Sequence, residues 1–184
     1  MTVHIALLRG INVGGHNKVK MSELKTMFEG LGFSGVQTYI QSGNVLFSSD
    51  EPSEALRARI EQTFESTFGF RISILLRTQA EFETILARLP FSEDDIQAAT
   101  GTLGKEVLYV TLLDAEPTPE AVDKLGTYEK DKYVIDGLTV YLLFDQTILD
   151  SKLAASLPKL GVTMTMRNWK TMTKLTSLAQ AMTP

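Results

Sequence analysis

The chain of 184 residues contains no cysteine and only two histidines, which excludes several kinds of site. Without thiols there is no disulfide, no thiolate metal site and no cysteine nucleophile. His4 and His16 alone would supply a zinc or iron centre poorly. We therefore predict no metal site, and the residues indicate no particular cofactor.

Long apolar runs are also missing. No stretch approaches the roughly 18 consecutive apolar residues of a membrane span. Near the start, Arg9 and a run of glycines interrupt the order of residues that a signal peptide requires. The sequence predicts a cytoplasmic protein with no membrane partner.

Acidic residues are absent from both ends of the chain. All 22 of them lie between Glu23 and Asp150, so residues 1–22 and 151–184 carry only basic and neutral side chains. The segment between them has a net charge of −12, against −4 for the whole chain. An overall pI near 5.3 argues against a general nucleic-acid coat, although a local basic patch is compatible with it. The two basic ends indicate a binding site for an anion.

Hydrophobic periodicity and turn signals predict the order β-α-β-β-α-β twice. In the first half the predicted strands cover residues 3–8, 36–40, 45–48 and 71–76, and the hairpin turns at Gly43-Asn44. In the second half, strands at 107–113 and 162–166 enclose a hairpin around Asp136-Gly137, with Thr118 as a helix N-cap. The pattern predicts an α+β fold of tandem ferredoxin-like repeats with antiparallel sheets and an extra C-terminal helix. A single mixed sheet is the alternative.

The predicted domains are residues 1–90, containing the first repeat and a following helix, and residues 106–184, containing the second repeat and the C-terminal helix. The polar segment 91–105 is the predicted linker. The first strands lie about 104 residues apart, but the hairpin turns only about 93 apart. The first half therefore carries roughly ten extra residues, which we place in the loop of residues 10–20.

Glycines and cations distinguish this loop. Gly10, Gly14 and Gly15 can adopt positive φ and bring backbone N–H groups close to an anion, ahead of a helix N-terminus. The spacing matches neither a Walker A loop, because Lys18 comes two positions late, nor the G-x-G-x-x-G pattern. The alternative is a long structural connection in which asparagines bond the local backbone.

A second basic segment begins the last helix. Asn168 occupies the predicted N-cap, while Arg167, Lys170 and Lys174 crowd the positive end of the helix dipole. Cations placed there indicate either a bound phosphate or carboxylate, or acids from the middle of the chain folded over them. Trp169, the only tryptophan, either stacks on a ring or packs in the core.

The remaining polar signals favour structural roles. Ser42 lacks a G-x-S-x-G elbow and a histidine partner, which favours a turn serine over a nucleophile. Three consecutive acids, Glu93, Asp94 and Asp95, indicate a helix start more than a cation site. His4 sits in a strand, and His16 is the better candidate for acid–base work.

Three segments together resemble a bacterial family known as domain of unknown function 1697. They are Leu8-Arg-Gly-Ile-Asn-Val-Gly-Gly15 with Asn17-Lys18, Thr38-Tyr-Ile-Gln-Ser-Gly-Asn-Val45, and Thr165-x-Arg-Asn-Trp-x-Thr171 with Lys174-Leu175. The resemblance extends along the whole chain and implies two ferredoxin-like halves. It implies no activity, but it favours a functional glycine loop.

We therefore predict a protein that binds a phosphate-bearing small molecule, such as a nucleotide, with the glycine loop facing the Arg-Asn-Trp helix start. The predicted ligand-binding residues are Arg9, Gly10, Asn12, Gly14, Gly15, Asn17, Lys18, Ser42, Asn44, Arg167, Asn168, Trp169, Lys170 and Thr171. One alternative is an RNA-binding module that uses Tyr39 and Phe47 on an exposed sheet. Another is a protein-interaction scaffold with a large exposed apolar patch. The sequence indicates neither a reaction nor an oligomeric state.

Overall fold

The computed structural model describes residues 1–183, which form two antiparallel four-stranded sheets and seven α-helices. The strands are β1 (Thr2–Leu8), β2 (Ser34–Tyr39), β3 (Asn44–Ser49), β4 (Ile74–Thr78), β5 (Leu108–Leu113), β6 (Lys132–Asp136), β7 (Thr139–Leu143) and β8 (Met164–Asn168). The helices are α1 (Met21–Gly30), α2 (Ser53–Phe68), α3 (Gln79–Ala87), α4 (Glu93–Leu103), α5 (Pro119–Leu125), α6 (Lys152–Ser156) and α7 (Trp169–Met182). Two short 3-10 turns cover Ile148–Asp150 and Leu157–Leu160.

The chain divides into two compact units, residues 1–84 with 173–184 and residues 85–172. The sheet of the first unit has the order β2-β3-β1-β4 and that of the second β6-β7-β5-β8, with every neighbouring pair antiparallel. The α+β class and the antiparallel sheets are thus confirmed. A single mixed sheet is excluded.

In the first unit, α1 and α2 bury their apolar stripes on one face of the sheet. The helices contribute Leu24, Phe28, Ile60 and others to a core that Phe47 of β3 enters from the sheet. Alternation along the strands places every second side chain in this core. The residues between them, such as Ile5 and Leu7 of β1, are also buried, so both faces of this central strand are shielded from water.

The second unit has its own core around α5, α6 and the sheet. Leu113, Leu142 and Leu153 are among its buried members. Asp131, at the start of β6, is buried and accepts hydrogen bonds from Ser151 Oγ at 2.7 Å and Gln146 Nε2 at 2.8 Å. These bonds fix the segment after β7 against the start of the hairpin.

The division differs from the predicted boundaries of 1–90, 91–105 and 106–184. Residues predicted as a linker form α4, which starts at the N-cap Ser92 and ends at Gly104. The acidic residues of its first turn interact favourably with the positive end of the helix dipole. Ile96 and Ala99 pack toward β5. The predicted helix start at Glu93–Asp95 is confirmed, but the polar composition of the segment concealed the length of the helix, which contributes only a narrow apolar face.

The last strand of each sheet begins two to three residues later than predicted, at Ile74 and Met164. Pairing with the central strand sets this register, because Ile74 lies opposite Leu8 and Met164 opposite Leu113. As a consequence Arg167, expected at a helix start, is a strand residue.

Candidate functional site

Residues 9–20 connect β1 to α1 and form a compact loop in which the side chain of Asn12 makes the most contacts. Its Oδ1 accepts a hydrogen bond from Val19 N at 2.8 Å, and its Nδ2 donates to Val19 O at 3.0 Å. The same Nδ2 donates to Gln41 O at 2.9 Å, in the turn between β2 and β3. At the loop tip, His16 N donates to Val13 O and closes a tight turn through Gly14 and Gly15. The loop is therefore an ordered structure.

The β2–β3 turn supports the base of this loop. Gly43 has a φ of 82°, and a Cβ atom there would lie 2.6 Å from Ile11 Cδ1. Ile11 is buried, so this contact seats the loop on the turn. Asn44 Nδ2 donates to Ser42 Oγ at 3.0 Å and to Tyr39 O at 2.8 Å, which gives Ser42 and Asn44 roles in holding the turn.

A groove of about 770 Å³ lies between the loop, the turn and the first residues of α1. Lys18 and Lys20 line it together with Asn12 and Gln41, and Glu23 supplies an acidic group. No side chain caps α1, because the N-cap residue is Lys20. Lys20 Nζ lies 3.7 Å from Glu23 Oε1, on well-exposed side chains where such a pair contributes little stability.

Three of the predicted residues, Asn12, Gly15 and Lys18, line the groove itself. Arg9 is exposed, and its backbone N donates to Ser73 O at 3.0 Å. The Asn17 side chain donates to Gly10 O at 3.2 Å and thereby closes the loop near its entrance. The structure brings the first-unit residues together around one loop and one turn.

The second predicted segment has mainly local contacts. Arg167 is buried, and its Nη1 donates to Thr165 Oγ1 at 2.8 Å and to Met166 O at 2.9 Å. Burial lowers the pKa of Arg167 to about 10. Asn168 Oδ1 accepts a hydrogen bond from Thr171 N at 2.8 Å, so the predicted N-cap contact is present.

Trp169 packs against the apolar cluster formed by α4, β5 and β7, as the core interpretation of this residue predicts. Thr171 is buried and Lys170 is exposed. By the division of the chain, residues 167–171 belong to the second unit, whereas the glycine loop belongs to the first.

Sequence reasoning missed several groove residues, among them Lys20, Ser22, Glu23 and Gln41. Gln41 adjoins the Ser-Gly-Asn turn that was singled out, and its role depends on a backbone carbonyl that no side-chain pattern reveals. Lys20 and Glu23 stand where the loop becomes a helix, so the helix start itself was the available signal.

The two histidines lie in different surroundings. His16 is exposed in the glycine loop, while His4 is buried beside Phe47, with ring centroids 5.5 Å apart. Burial lowers the pKa of His4, and the backbone of Ser49 and the carboxylate of Glu81 partly offset that effect.

Across residues 1–183, no group of three or more His, Cys, Asp or Glu side chains is placed to hold a metal ion. None of the helices in this range is both long enough and apolar enough to cross a bilayer.

Comparison with known proteins gives a family and a fold. The structure of a conserved bacterial protein from Streptococcus pneumoniae has a TM-score of 0.68 and 24% sequence identity, covering 97% of this chain and 98% of that one. A crystal structure of an unknown protein from Galdieria sulphuraria has a TM-score of only 0.22 at 12% identity. No curated protein matches significantly. The model of a family described as protein of unknown function, DUF1697, matches residues 1–141, and the chain therefore belongs to that family.

Proposed function

We propose that the first unit binds a phosphate-bearing small molecule in the groove between the glycine loop and the start of α1. The observation that carries the proposal is the groove of about 770 Å³, in which Lys18 and Lys20 adjoin a helix N-terminus without a side-chain cap. A helix N-terminus carries roughly half a positive charge, and its first N–H groups lack intrahelical acceptors. A phosphate would satisfy these donors and neutralise the lysines.

The ordered loop supports this proposal. Asn12 joins both ends of the loop and the neighbouring turn, so the backbone around the groove is held before a ligand arrives. A site organised in advance loses less conformational entropy on binding. The exposed residues Gly14 and Gly15 leave the approach to the groove open to a ligand.

The proposed site is smaller than the one predicted from the sequence. Arg167 already donates to Thr165 and Met166, Asn168 caps α7, and Trp169 packs on an apolar cluster. These contacts explain the Arg-Asn-Trp segment as part of the second unit's own structure. We therefore leave it out of the proposed binding site.

We further propose that the two units are tandem ferredoxin-like repeats. The strand–helix order and the matching sheet orders support this interpretation. Corresponding arginines support it too, since Arg77 Nη1 donates to Leu76 O at 3.0 Å as Arg167 Nη1 does to Met166 O at 2.9 Å. Each arginine is the fourth residue of its strand.

The RNA-binding alternative loses support in the first unit. Tyr39 on the edge strand β2 is half-buried, and Phe47 is fully buried against Phe28 and Phe33. A base cannot stack on a ring in that position.

A thermal-shift screen with inorganic phosphate, ribose 5-phosphate and adenosine 5′-monophosphate tests the binding proposal. At about a hundred times its dissociation constant, a ligand adds roughly 2.7 kcal/mol of stability, which is visible as a higher Tm. The shift should disappear in Lys18→Glu and persist in Lys170→Glu, a matched charge reversal on an exposed lysine of the second unit. Equal responses in both variants, or no shift with any probe, would overturn the proposal.

A further inference from the structure

A second cavity adjoins the proposed phosphate groove within the first unit. It has a volume of about 470 Å³ and lies between α1 and the C-terminal end of α2. Both cavities are lined by Ser22 and Glu23, on the first turn of α1. They therefore share one wall, which an elongated ligand spanning both would contact.

The two cavities differ in chemistry. Both have apolar residues, Val19 and Met21 in the first and Met27 in the second. The lysines Lys18 and Lys20 line only the first, and the aromatic ring of Phe68 lines only the second. Phe68 is half-buried at the last position of α2, and its ring lies 4.6 Å from that of Phe64, which holds it in place. An aromatic ring held in this way is a platform on which a flat ring can stack.

Glu23 lies on the wall that the cavities share. Its carboxylate accepts hydrogen bonds only, so it favours hydroxyl groups and disfavours a second phosphate. Along the two cavities the order is thus cationic at Lys18 and Lys20, anionic at Glu23 and aromatic at Phe68.

We propose that the ligand is a nucleoside monophosphate, with its phosphate at Lys18 and Lys20, its ribose hydroxyls at Glu23 and its base on Phe68. This inference rests on the phosphate-binding function proposed above. A sugar phosphate lacks the flat ring, and a polyphosphate would bring negative charge to Glu23.

Isothermal titration calorimetry with adenosine 5′-monophosphate, ribose 5-phosphate and inorganic phosphate tests the assignment. Phe68→Ala should weaken adenosine 5′-monophosphate binding about tenfold and leave ribose 5-phosphate binding unchanged, since stacking involves the base alone. Phe70→Ala is the matched control, because Phe70 also packs against Phe64 but does not line the cavity. It should leave both affinities unchanged.

Glu23→Ala provides a second test, in which the affinities for different probes should change in opposite directions. It should weaken binding of adenosine 5′-monophosphate and ribose 5-phosphate, which have hydroxyls, and strengthen binding of inorganic phosphate by removing a negative charge. Equal affinities for ribose 5-phosphate and adenosine 5′-monophosphate, or an unchanged nucleotide affinity in Phe68→Ala, would overturn the nucleotide assignment alone. Failure of all three probes to bind would overturn the phosphate-binding function together with it.

Discussion

The first unit joins β1 to α1 through residues 9–20, whereas the second joins β5 to α5 through residues 114–118. The short connection ends in a capped helix: Thr118 Oγ1 accepts from Ala121 N at 3.2 Å, and Pro119 occupies the first helical position. The long one ends at Lys20, which provides no cap. An N-cap contributes about 1 kcal/mol, and the first unit lacks that stabilisation at the helix start where its groove lies. Under the proposed function, the long loop serves binding more than stability.

The largest effect on the free energy of unfolding is expected from a substitution in the hairpin turn of the first unit. Gly43→Ala should lower the free energy of unfolding by about 3 kcal/mol, because the new Cβ would take a positive φ and overlap the buried Ile11. Gly137→Ala, in the hairpin of the second unit, has only Glu116 Oε1 nearby at 3.8 Å and should cost about 1 kcal/mol. Urea unfolding measures both. Equal losses would contradict the seating of the loop on its turn.

A smaller loss is expected from the loop itself. Asn12→Gly should cost about 2 kcal/mol, since it removes three backbone contacts without a penalty for positive φ. Asn17→Gly is the matched control, because Asn17 also has a positive φ but donates a single exposed bond at 3.2 Å. Hydrogen exchange of residues 10–19 should accelerate much more in Asn12→Gly. Similar exchange in the two variants would show that Asn12 does not hold the loop.

The side-chain cap that α1 lacks can be supplied by a substitution at its N-cap position. Lys20 already has the extended backbone of an N-cap, with φ −72° and ψ 130°, so Lys20→Ser should stabilise the protein by about 1 kcal/mol. It should also weaken phosphate binding, because a lysine leaves the groove. Thr118→Ala, which removes the cap of α5 in the second unit, should lower the free energy of unfolding by about 1 kcal/mol and leave phosphate binding unchanged. Unchanged phosphate affinity in Lys20→Ser would show that the helix start is not part of the binding site.

The smallest expected effect is a dependence of the free energy of unfolding on pH. His4 lies opposite Thr78, at the end of β4, as Tyr109 lies opposite Asn168, at the end of β8. Burial lowers the pKa of His4, so the folded state binds fewer protons than the unfolded one, and stability falls as the pH drops below about 6.5. Urea midpoints measured across this range should decrease in the parent and stay level in His4→Phe. A decrease of the same size in both would assign the effect to other groups.

Much of the fold could be predicted from the sequence, because its signals are local. Apolar spacing located α1, and Gly43-Asn44 and Asp136-Gly137 located the hairpins. The starts of β4 and β8 were misplaced because cross-strand register decides them. The acidic start of α4 was predicted, but its length was not, because its apolar face is narrow.

The site was predictable only in part. The loop follows from its glycines, and the bonds of Asn12 to the Val19 backbone agree with the alternative of a structural connection held by asparagines. The bond of Asn12 to the Gln41 carbonyl could not be predicted, because residue types do not identify a partner in a distant turn. From its neighbours in sequence, Arg167 was expected among the cations at a helix start. The strand register and the fold around it bury the side chain.

The account is tested most directly by the ¹H–¹⁵N spectrum of the protein during a titration with inorganic phosphate. It predicts that the amide signals of residues 14–23 shift progressively, while those of 114–121, at the capped helix of the second unit, remain in place. Shifts confined to the second unit, or an unchanged spectrum at high phosphate concentration, would contradict it.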